Sequence, residues 1–364
     1  MTPTQLAWRK YRSNYPAMFG LIYVSICLLA AIFGYWVAPD ASRHGNLQVV
    51  ELAKQPPGTE VDLLMVPIPS VSEIGFWEKL INGSPARFVP IPLKTAELRP
   101  DGDLIRFQAW SGAEDQIRLS RFAGKDLPAI RAENLRQMRY HLGTDQYGRD
   151  VWSRILLGSR VSLSIGFMSV LISLLIGISL GTVAGYFGGW LDKLIMWLVS
   201  VMWAIPTLLL ALAIVFVLQR GFWQLFLAIG LSMWVEVARI VRGQILSVRE
   251  QQFAEAARAL GYTHSRVMFR HVLPNVLSPI IVIAVANFGA AVLIESGLSF
   301  LGIGVEVPIP TWGRMIYEGY TYIVFENGKW LAFFPGLALI LLVMSINLIG
   351  IGLRDALDVK MKRK

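Results

Sequence analysis

The sequence predicts an all-α membrane protein that crosses the bilayer six times, with a small, mainly β insertion between the first two crossings. Three observations predict it. Of its 364 residues, 54% are hydrophobic and 16% charged, and the mean hydropathy is +0.51, more apolar surface than one water-soluble core can hide. Apolar stretches close to the ~20 residues a helix needs to cross a bilayer occur at 19–37, 161–186, 194–218, 222–241, 276–293 and 331–351. Charge is sorted by side: with the N-terminus inside, the inward segments (1–18, Asp192-Lys193, 236–270 and the tail 354–364) hold 15 Lys/Arg against 6 Asp/Glu. That satisfies the positive-inside rule and supplies the whole formal charge of +9. The basic balance therefore reports topology and argues against a nucleic-acid patch.

The elements follow in order. Arg9, Lys10 and Arg12 precede the first span as they would in a signal peptide. The span is longer than a signal core, however, and ends in Tyr35-Trp36-Val37 with no small-residue cleavage pattern, so an uncleaved anchor is expected. Residues 38–159 form the extracytoplasmic insertion, rich in proline and balanced in charge, with strand-like alternation at 61–68, 87–93, 104–110 and 117–122. The single cysteine, Cys27, lies in the first span, so the insertion has no disulfide framework. The other spans fall within 160–353. In the second span, Ser169, Ser173, Gly177, Gly181 and Gly185 recur every four residues, a ridge that lets another helix approach closely. Pro206 removes a hydrogen bond from the third span and kinks it, as a hinge or as a fixed bend.

Few polar groups sit at membrane depth. Glu236 and Arg239 fall in the fourth span, Asn287 and Glu295 in the fifth, and Asn347 in the sixth. Each costs about 2.5–3.5 kcal/mol at the bilayer centre if unpaired, so each should face protein or water. Glu236 and Arg239, three apart, can satisfy each other. Pro206, Asn287 and Glu295 are candidates for lining a passage; for Glu295 the alternative is a hydrogen bond across a helix interface. No residue pattern fits a chemical mechanism. There is no G-x-x-x-x-G-K-[ST] loop for a triphosphate. The histidines His44, His141, His264 and His271 are scattered, and His264 and His271 have the wrong spacing for a shared metal on one helix face. No Ser/His/Asp grouping appears at short range. Neither catalysis nor a bound metal is expected.

The segment 247–274, between the fourth and fifth spans, carries the most information. Ser247 and Glu250 have the form of a capping box, so a helix is expected over 248–260, stopped by Gly261 in the left-handed region. Thr263 can cap a second helix, and Pro274 marks the turn into the next span. Ala256 and Ala257 give a low-relief surface on which another protein's groove can close, with Glu255 and Arg258 fixing its register. The alternative is an amphipathic loop lying on the inner leaflet, its Arg249, Arg258, Arg266 and Arg270 held by anionic lipid.

Three motifs then coincide. Glu255-Ala256-Ala257, Gly261 and Leu273-Pro274 keep the spacing EAA, three residues, G, nine residues, I-x-L-P, with His271 at the isoleucine position. The ten residues from His141 to Asp150 are similar to an LGTDxxGRD motif. Glu295 to Gly304 followed by Pro310-Thr311-Trp312-Gly313 is similar to E-x-x-LSFLGxG…PxWG, with Gly302 and Trp312 at motif positions. From about residue 141 to 355 the chain thus resembles the C-type permease subunits of the dipeptide and oligopeptide group of ABC importers; residues 38–139 lie outside the resemblance. It implies a type I importer permease fold in a bacterial inner membrane and a pathway shared with a homologous permease. It also implies two ATP-binding subunits docked on a cytoplasmic coupling loop, 244–274, through Glu255, Ala256, Ala257, Arg258, Gly261, Leu273 and Pro274, and a solute-binding protein outside. ATP and magnesium then belong to the partner ATPases, and this chain binds no cofactor. In the second motif, Asp145, Arg149 and Asp150 can pair with one another and cap the next helix, while Gly143 and Gly148 supply special backbone angles; contact with cargo is the alternative.

Peptides are the cargo the resemblance implies first, with nickel chelates, glycosides or peptide-like antibiotics as alternatives. The insertion is a platform for the binding protein, a lid over the outer mouth, or packing on the membrane domain alone. Two other classes stay open: a secondary transporter driven by an ion gradient, which should carry more titratable groups in its spans, and a membrane sensor with the insertion as receptor.

Overall fold

The protein, described here from a computed structural model, is defined over residues 3–69, 74–219, 221–324 and 328–357. Helix α1 (Pro3–Ser13) occupies most of the expected N-terminal tail, and α2 (Tyr15–Val37) follows after one residue. That residue, Asn14, breaks the run: its side-chain oxygen accepts the N–H of Ala17 at 3.1 Å, an N-cap for α2.

The insertion is built as expected, around antiparallel strands. It comprises β1 (Thr59–Pro67), α3 (Phe76–Asn82), β2 (Phe88–Asp101), β3 (Leu104–Ala109), β4 (Glu114–Arg118), α4 (Leu127–Asn134) and β5 (Leu135–Tyr140), with sheet order β4-β3-β2-β1-β5. Leu64, Val66, Leu93, Leu98, Ile105 and Phe107 pack with Phe122 and with Ile130 of α4. Val61, Leu63 and Tyr140 pack with Val49 and Leu52. Because β1 buries side chains on both faces, it reads as the apolar run Leu63-Leu64-Met65-Val66. The fourth expected strand is displaced: β4 begins at Glu114, and Leu119–Phe122 is a 3-10 turn. Sequence periodicity missed β5. It is an edge strand with exposed Arg136, Gln137 and Arg139, the charged character by which edges resist further pairing.

The remaining helices are α5 (Val151–Phe187), α6 (Gly189–Trp203), α7 (Thr207–Leu218), α8 (Phe222–Arg249), α9 (Gln252–Ala259), α10 (His264–Val267), α11 (Leu277–Phe300), α12 (Trp312–Tyr320) and α13 (Trp330–Leu357). Among the described residues, five runs are long and apolar enough to cross a membrane: α2, α5, α8, His264–Phe300 and α13. The third expected span is broken rather than kinked. α6 and α7 meet at 91° across Pro206, whose ring holds φ at −54° and which has no N–H to continue the ladder. At 1.5 Å per residue, roughly 22 Å and 18 Å of helix each fall short of a ~30 Å hydrocarbon core, so only the pair together can make a sixth crossing. Pro274, by contrast, does not turn the chain. A π turn at Met268–Val272 and a 3-10 turn at Leu273–Val276 carry the helix through to α11. The wider turn, with Leu273 N–H bonded to the Met268 carbonyl, re-registers the ladder around a residue that cannot donate.

The ridge on α5 packs against α8. A Cβ added at Gly177 would lie 2.5 Å from Val237 Cβ, one at Gly181 2.5 Å from the Ala238 carbonyl oxygen, and one at Gly185 2.9 Å from that of Arg242. Ser169 Oγ donates to the Phe226 carbonyl at 3.2 Å, and Gly230 returns the fit against Ile172. Gly181→Val should therefore force the pair apart and destabilise by about 1–3 kcal/mol, read as a lower unfolding temperature of the detergent-solubilised protein; an unchanged midpoint would refute this packing. α6 is tied to α8 by a two-pronged pair from Arg242 to Asp192 at 2.5 and 2.7 Å. The expected Glu236–Arg239 pair does not form: Arg239 lies 4.1 Å over the Trp203 ring, and among the described residues the exposed Glu236 has no ion pair. A nearby aromatic face has taken the cation.

Candidate functional site

Two constellations hold the motif residues, one in each of the chain's two compact units. The first is built from the 141–150 turn and α12. Two glycines set its shape. Gly143 and Gly148 have φ of +78° and +72°. A Cβ on Gly143 would lie 2.9 Å from Trp330 Nε1, and one on Gly148 would run into the backbone of Val49. Asp145 then closes on its own turn, accepting the N–H groups of Tyr147 at 2.8 Å and Arg149 at 3.0 Å, and Arg149 Nε at 2.6 Å. Arg149, fully buried, uses Nη2 to reach Glu318 at 2.9 Å and Nη1 to reach Asn46 Oδ1 at 3.3 Å. Arg154, one turn into α5 and also buried, lies 3.6 Å from Asp145 and 3.7 Å from Glu318. Arg314 closes the circuit on Glu318 at 3.1 Å.

The expected Asp145–Arg149 pair is thus present, but Asp150 serves as a cap alone, accepting the N–H of Ser153 at 2.9 Å and its hydroxyl. Burial pushes its carboxyl above the usual range, against the pull of those bonds. Trp312 is locked by a bond from Nε1 to the Ile155 carbonyl at 3.0 Å, its ring against Gly158. Thr311 caps α12 by accepting the N–H of Arg314. Glu318 is the residue sequence reasoning missed. Its only signal is a carboxylate within the amphipathic stretch of α12, where nothing marks it as facing inward.

In the other unit, Glu295 is fully buried and accepts Ser299 Oγ at 2.7 Å, a bond within its own helix. Asn287 is also buried, whereas Pro206 lies exposed at the α6–α7 break. Leu208 of α7 lies against Gly297 of α11, so the break and the Glu295 turn are neighbours. Gly302 ends α11 at φ +77°, with its N–H on the Ser299 carbonyl and that of Ile303 on Leu298.

The second constellation is the 250–276 connection. The capping box does not form, because α8 continues through Val248, which is buried with Val241 and Ile245; tertiary packing overrides the local signal. The break falls at Glu250-Gln251, and α9 starts without a side-chain cap. Its stop is as expected. Gly261 has φ +77° and bonds the Arg258 carbonyl, and Tyr262 N–H bonds that of Ala257, the double closure of a Schellman motif.

The alanine pair is split. Ala257 packs inward with Ala254, Val267, Met268, Val272 and Val276, while Ala256 and Glu255 face out. Low relief is therefore offered by Ala256 alone, beside exposed Phe253, Leu260 and Phe269. Arg258 does not stand free to set a register either, since its Nη2 donates to the Arg249 carbonyl at the end of α8 at 3.0 Å. Thr263 occupies the N-cap position of α10 without a side-chain bond. Leu273 packs on the buried cluster and Pro274 is exposed. His271, at the isoleucine position, stacks on Tyr262 with ring centroids 5.7 Å apart, and the Arg266 guanidinium lies over the same ring at 4.2 Å. His264 faces Tyr186 Oη at 3.2 Å. The two histidines have separate aromatic partners, and among the described residues no three ligand-type side chains are grouped for a metal.

A family model described as the binding-protein-dependent transport system inner membrane component matches residues 177–363, over half of the chain. The chain belongs to that family. A second model, the N-terminal TM domain of oligopeptide transport permease C, matches residues 2–57. Members of this inner-membrane-component family are multi-pass transport subunits rather than enzymes, and they work with a binding protein. Among relatives, the chain is 44% identical over 220 residues to a dipeptide transport system permease protein of Alkalihalophilus pseudofirmus, covering 60% of this chain and 72% of the relative. It is 41% identical over 221 residues to a glutathione transport system permease protein of Pectobacterium atrosepticum, covering 61% and 73%, and 36% identical over 221 residues to an oligopeptide transport system permease protein of Bacillus subtilis, covering 61% and 72%. A solved methionine ABC transporter in an inward-facing conformation overlays 57% of this chain on 97% of its own, with a TM-score of 0.48 and 20% identity.

Proposed function

We propose that this inner membrane component is the C-type permease of an ATP-driven importer of peptides. It forms the pathway with a homologous permease, above two ATP-binding subunits that hold the ATP and magnesium and below an extracytoplasmic solute-binding protein. The N- and C-termini are cytoplasmic, the orientation favoured by 15 basic against 6 acidic residues in the inward segments. The peptide cargo is supported by the relatives, whose names specify dipeptide, glutathione and oligopeptide transport.

One observation carries the coupling. α9 shows Glu255 and Ala256 outward while Ala254 and Ala257 bury it in a cluster shared by α8 and the 264–300 helix. A force applied to that exposed face reaches two membrane helices without passing through a flexible link. Motion of the docked ATPases would displace α9, and the helices joined to it would alternate the access of the pathway. Glu255, Ala256 and Gly261 hold the docking surface, Ala257, Arg258 and Leu273 weld it to its neighbours, and Pro206, Asn287 and Glu295 are the pathway-side positions.

The test is ATP-dependent uptake of a labelled dipeptide into proteoliposomes containing the co-purified complex. Glu255→Lys should abolish uptake and weaken ATPase co-purification while the chain still inserts. Unchanged uptake in that variant would overturn docking at α9. Uptake on an ion gradient without ATP, or a chain that purifies with no ATPase, would overturn the importer.

A further inference from the structure

We infer that α3, the short helix of the insertion, is a membrane-surface anchor: its apolar face lies in the lipid headgroup and upper acyl region and seats the sheet domain on the bilayer. The helix reads Phe76-Trp77-Glu78-Lys79-Leu80-Ile81-Asn82. At 100° per residue, Phe76, Trp77, Leu80 and Ile81 share one face, and Glu78, Lys79 and Asn82 the other. None of its residues is buried in the protein. Phe76, Trp77 and Ile81 are 60%, 71% and 60% exposed, an aromatic and aliphatic patch that water alone would disfavour.

The position of α3 names the occupant. The chain leaves α2 at Val37, and Trp36 at that end packs against Phe76, the rings tilted by 36° with centroids 5.2 Å apart. Lys79 lies 5.6 Å over the same Trp36 ring. The exposed stripe Leu29, Ile32, Phe33 and Trp36 of α2, a helix with the hydropathy of a membrane span, therefore continues without interruption into the apolar face of α3. Lipid that covers the first also meets the second. Rigidity comes from the other end: Arg160 Nη1 donates to the carbonyls of Leu80 at 2.6 Å and Ile81 at 3.4 Å, tying the last turn of α3 to α5. Tryptophan and phenylalanine at the end of a span, with a lysine whose stem can lie along the ring and whose charge can reach phosphate, are the composition of the membrane–water interface.

The test uses the assembled complex in liposomes, with Cys27→Ser as background and an environment-sensitive fluorophore on single cysteines. Probes on Trp77→Cys and Ile81→Cys should emit to the blue and be quenched by a shallow nitroxide lipid, and aqueous iodide should lose its effect on them. A probe on Glu78→Cys should show the reverse. A Leu29→Cys probe, quenched by a deep nitroxide, verifies that α2 spans in the same preparation, so failure of the anchor is distinguishable from failure of the membrane topology. Iodide quenching at Trp77 equal to that at Glu78 would overturn the anchor, placing the face in water. Protection from both quenchers would also overturn it, placing the face against a protein subunit.

Discussion

Arg149→Met is expected to destabilise the protein by about 3–5 kcal/mol, the range for removing one partner from a buried ion pair. The guanidinium is fully buried and contacts Asp145, Glu318 and Asn46 together. Without it, two carboxylates stay buried with only Arg154 at 3.6–3.7 Å and the half-buried Arg314 to compensate. A methionine of similar length fills the space and removes the cavity term, so the loss reports charge and hydrogen bonding. Arg149→Lys keeps the charge but not the fork that serves three acceptors, and its loss should fall between wild type and Arg149→Met. The measurement is the unfolding midpoint of the solubilised subunit, followed by intrinsic fluorescence and by retention of a monodisperse elution profile. Equal midpoints for Arg149→Met and wild type would show that this network does not hold the 141–150 turn to α12.

How much of this was legible follows from what each residue depends on. The spans were legible because crossing a bilayer is a local requirement on some twenty consecutive residues, and the glycine ridge because its period lies within one helix. Positive φ at Gly143, Gly148 and Gly261 was legible in the same way, since the backbone angle is set locally. The ends of elements were not. Ser247 and Glu250 look like a cap, but Val248 finds a buried seat beside Val241 and Ile245 and α8 runs on. Pro274 looks like a turn, but a π turn absorbs it. Partners distant in the chain were least legible: Glu318 meets Arg149 across 169 positions, and β5 is defined by pairing with β1 rather than by its own charged sequence. The same holds for Ala257, whose neighbour Ala256 has the identical side chain and the opposite exposure.

Gly261→Pro is expected to abolish ATP-dependent uptake while membrane insertion stays at the wild-type level, and Gly261→Ala to keep most of the uptake. The two differ in kind. An added Cβ at Gly261 meets nothing within 4 Å, so alanine suffers only the left-handed penalty of about 1–2 kcal/mol, which a turn bonded on both sides can absorb. Proline cannot adopt φ +77° at all, and it removes the N–H that bonds the Arg258 carbonyl. The Schellman closure then opens, Tyr262 N–H loses its alignment on the Ala257 carbonyl, and the stack of Arg266, Tyr262 and His271 loses its fixed end. α9 is left joined to the 264–300 helix by a loose link, and a displacement imposed on Glu255 and Ala256 is spent in that link instead of moving α11. The spans keep their apolar lengths, which is why insertion survives. The check is uptake per inserted complex together with ATP hydrolysis by the same vesicles: hydrolysis that continues without uptake is the expected signature of a broken transmission. Full uptake in Gly261→Pro would mean that the push enters the membrane helices by another route.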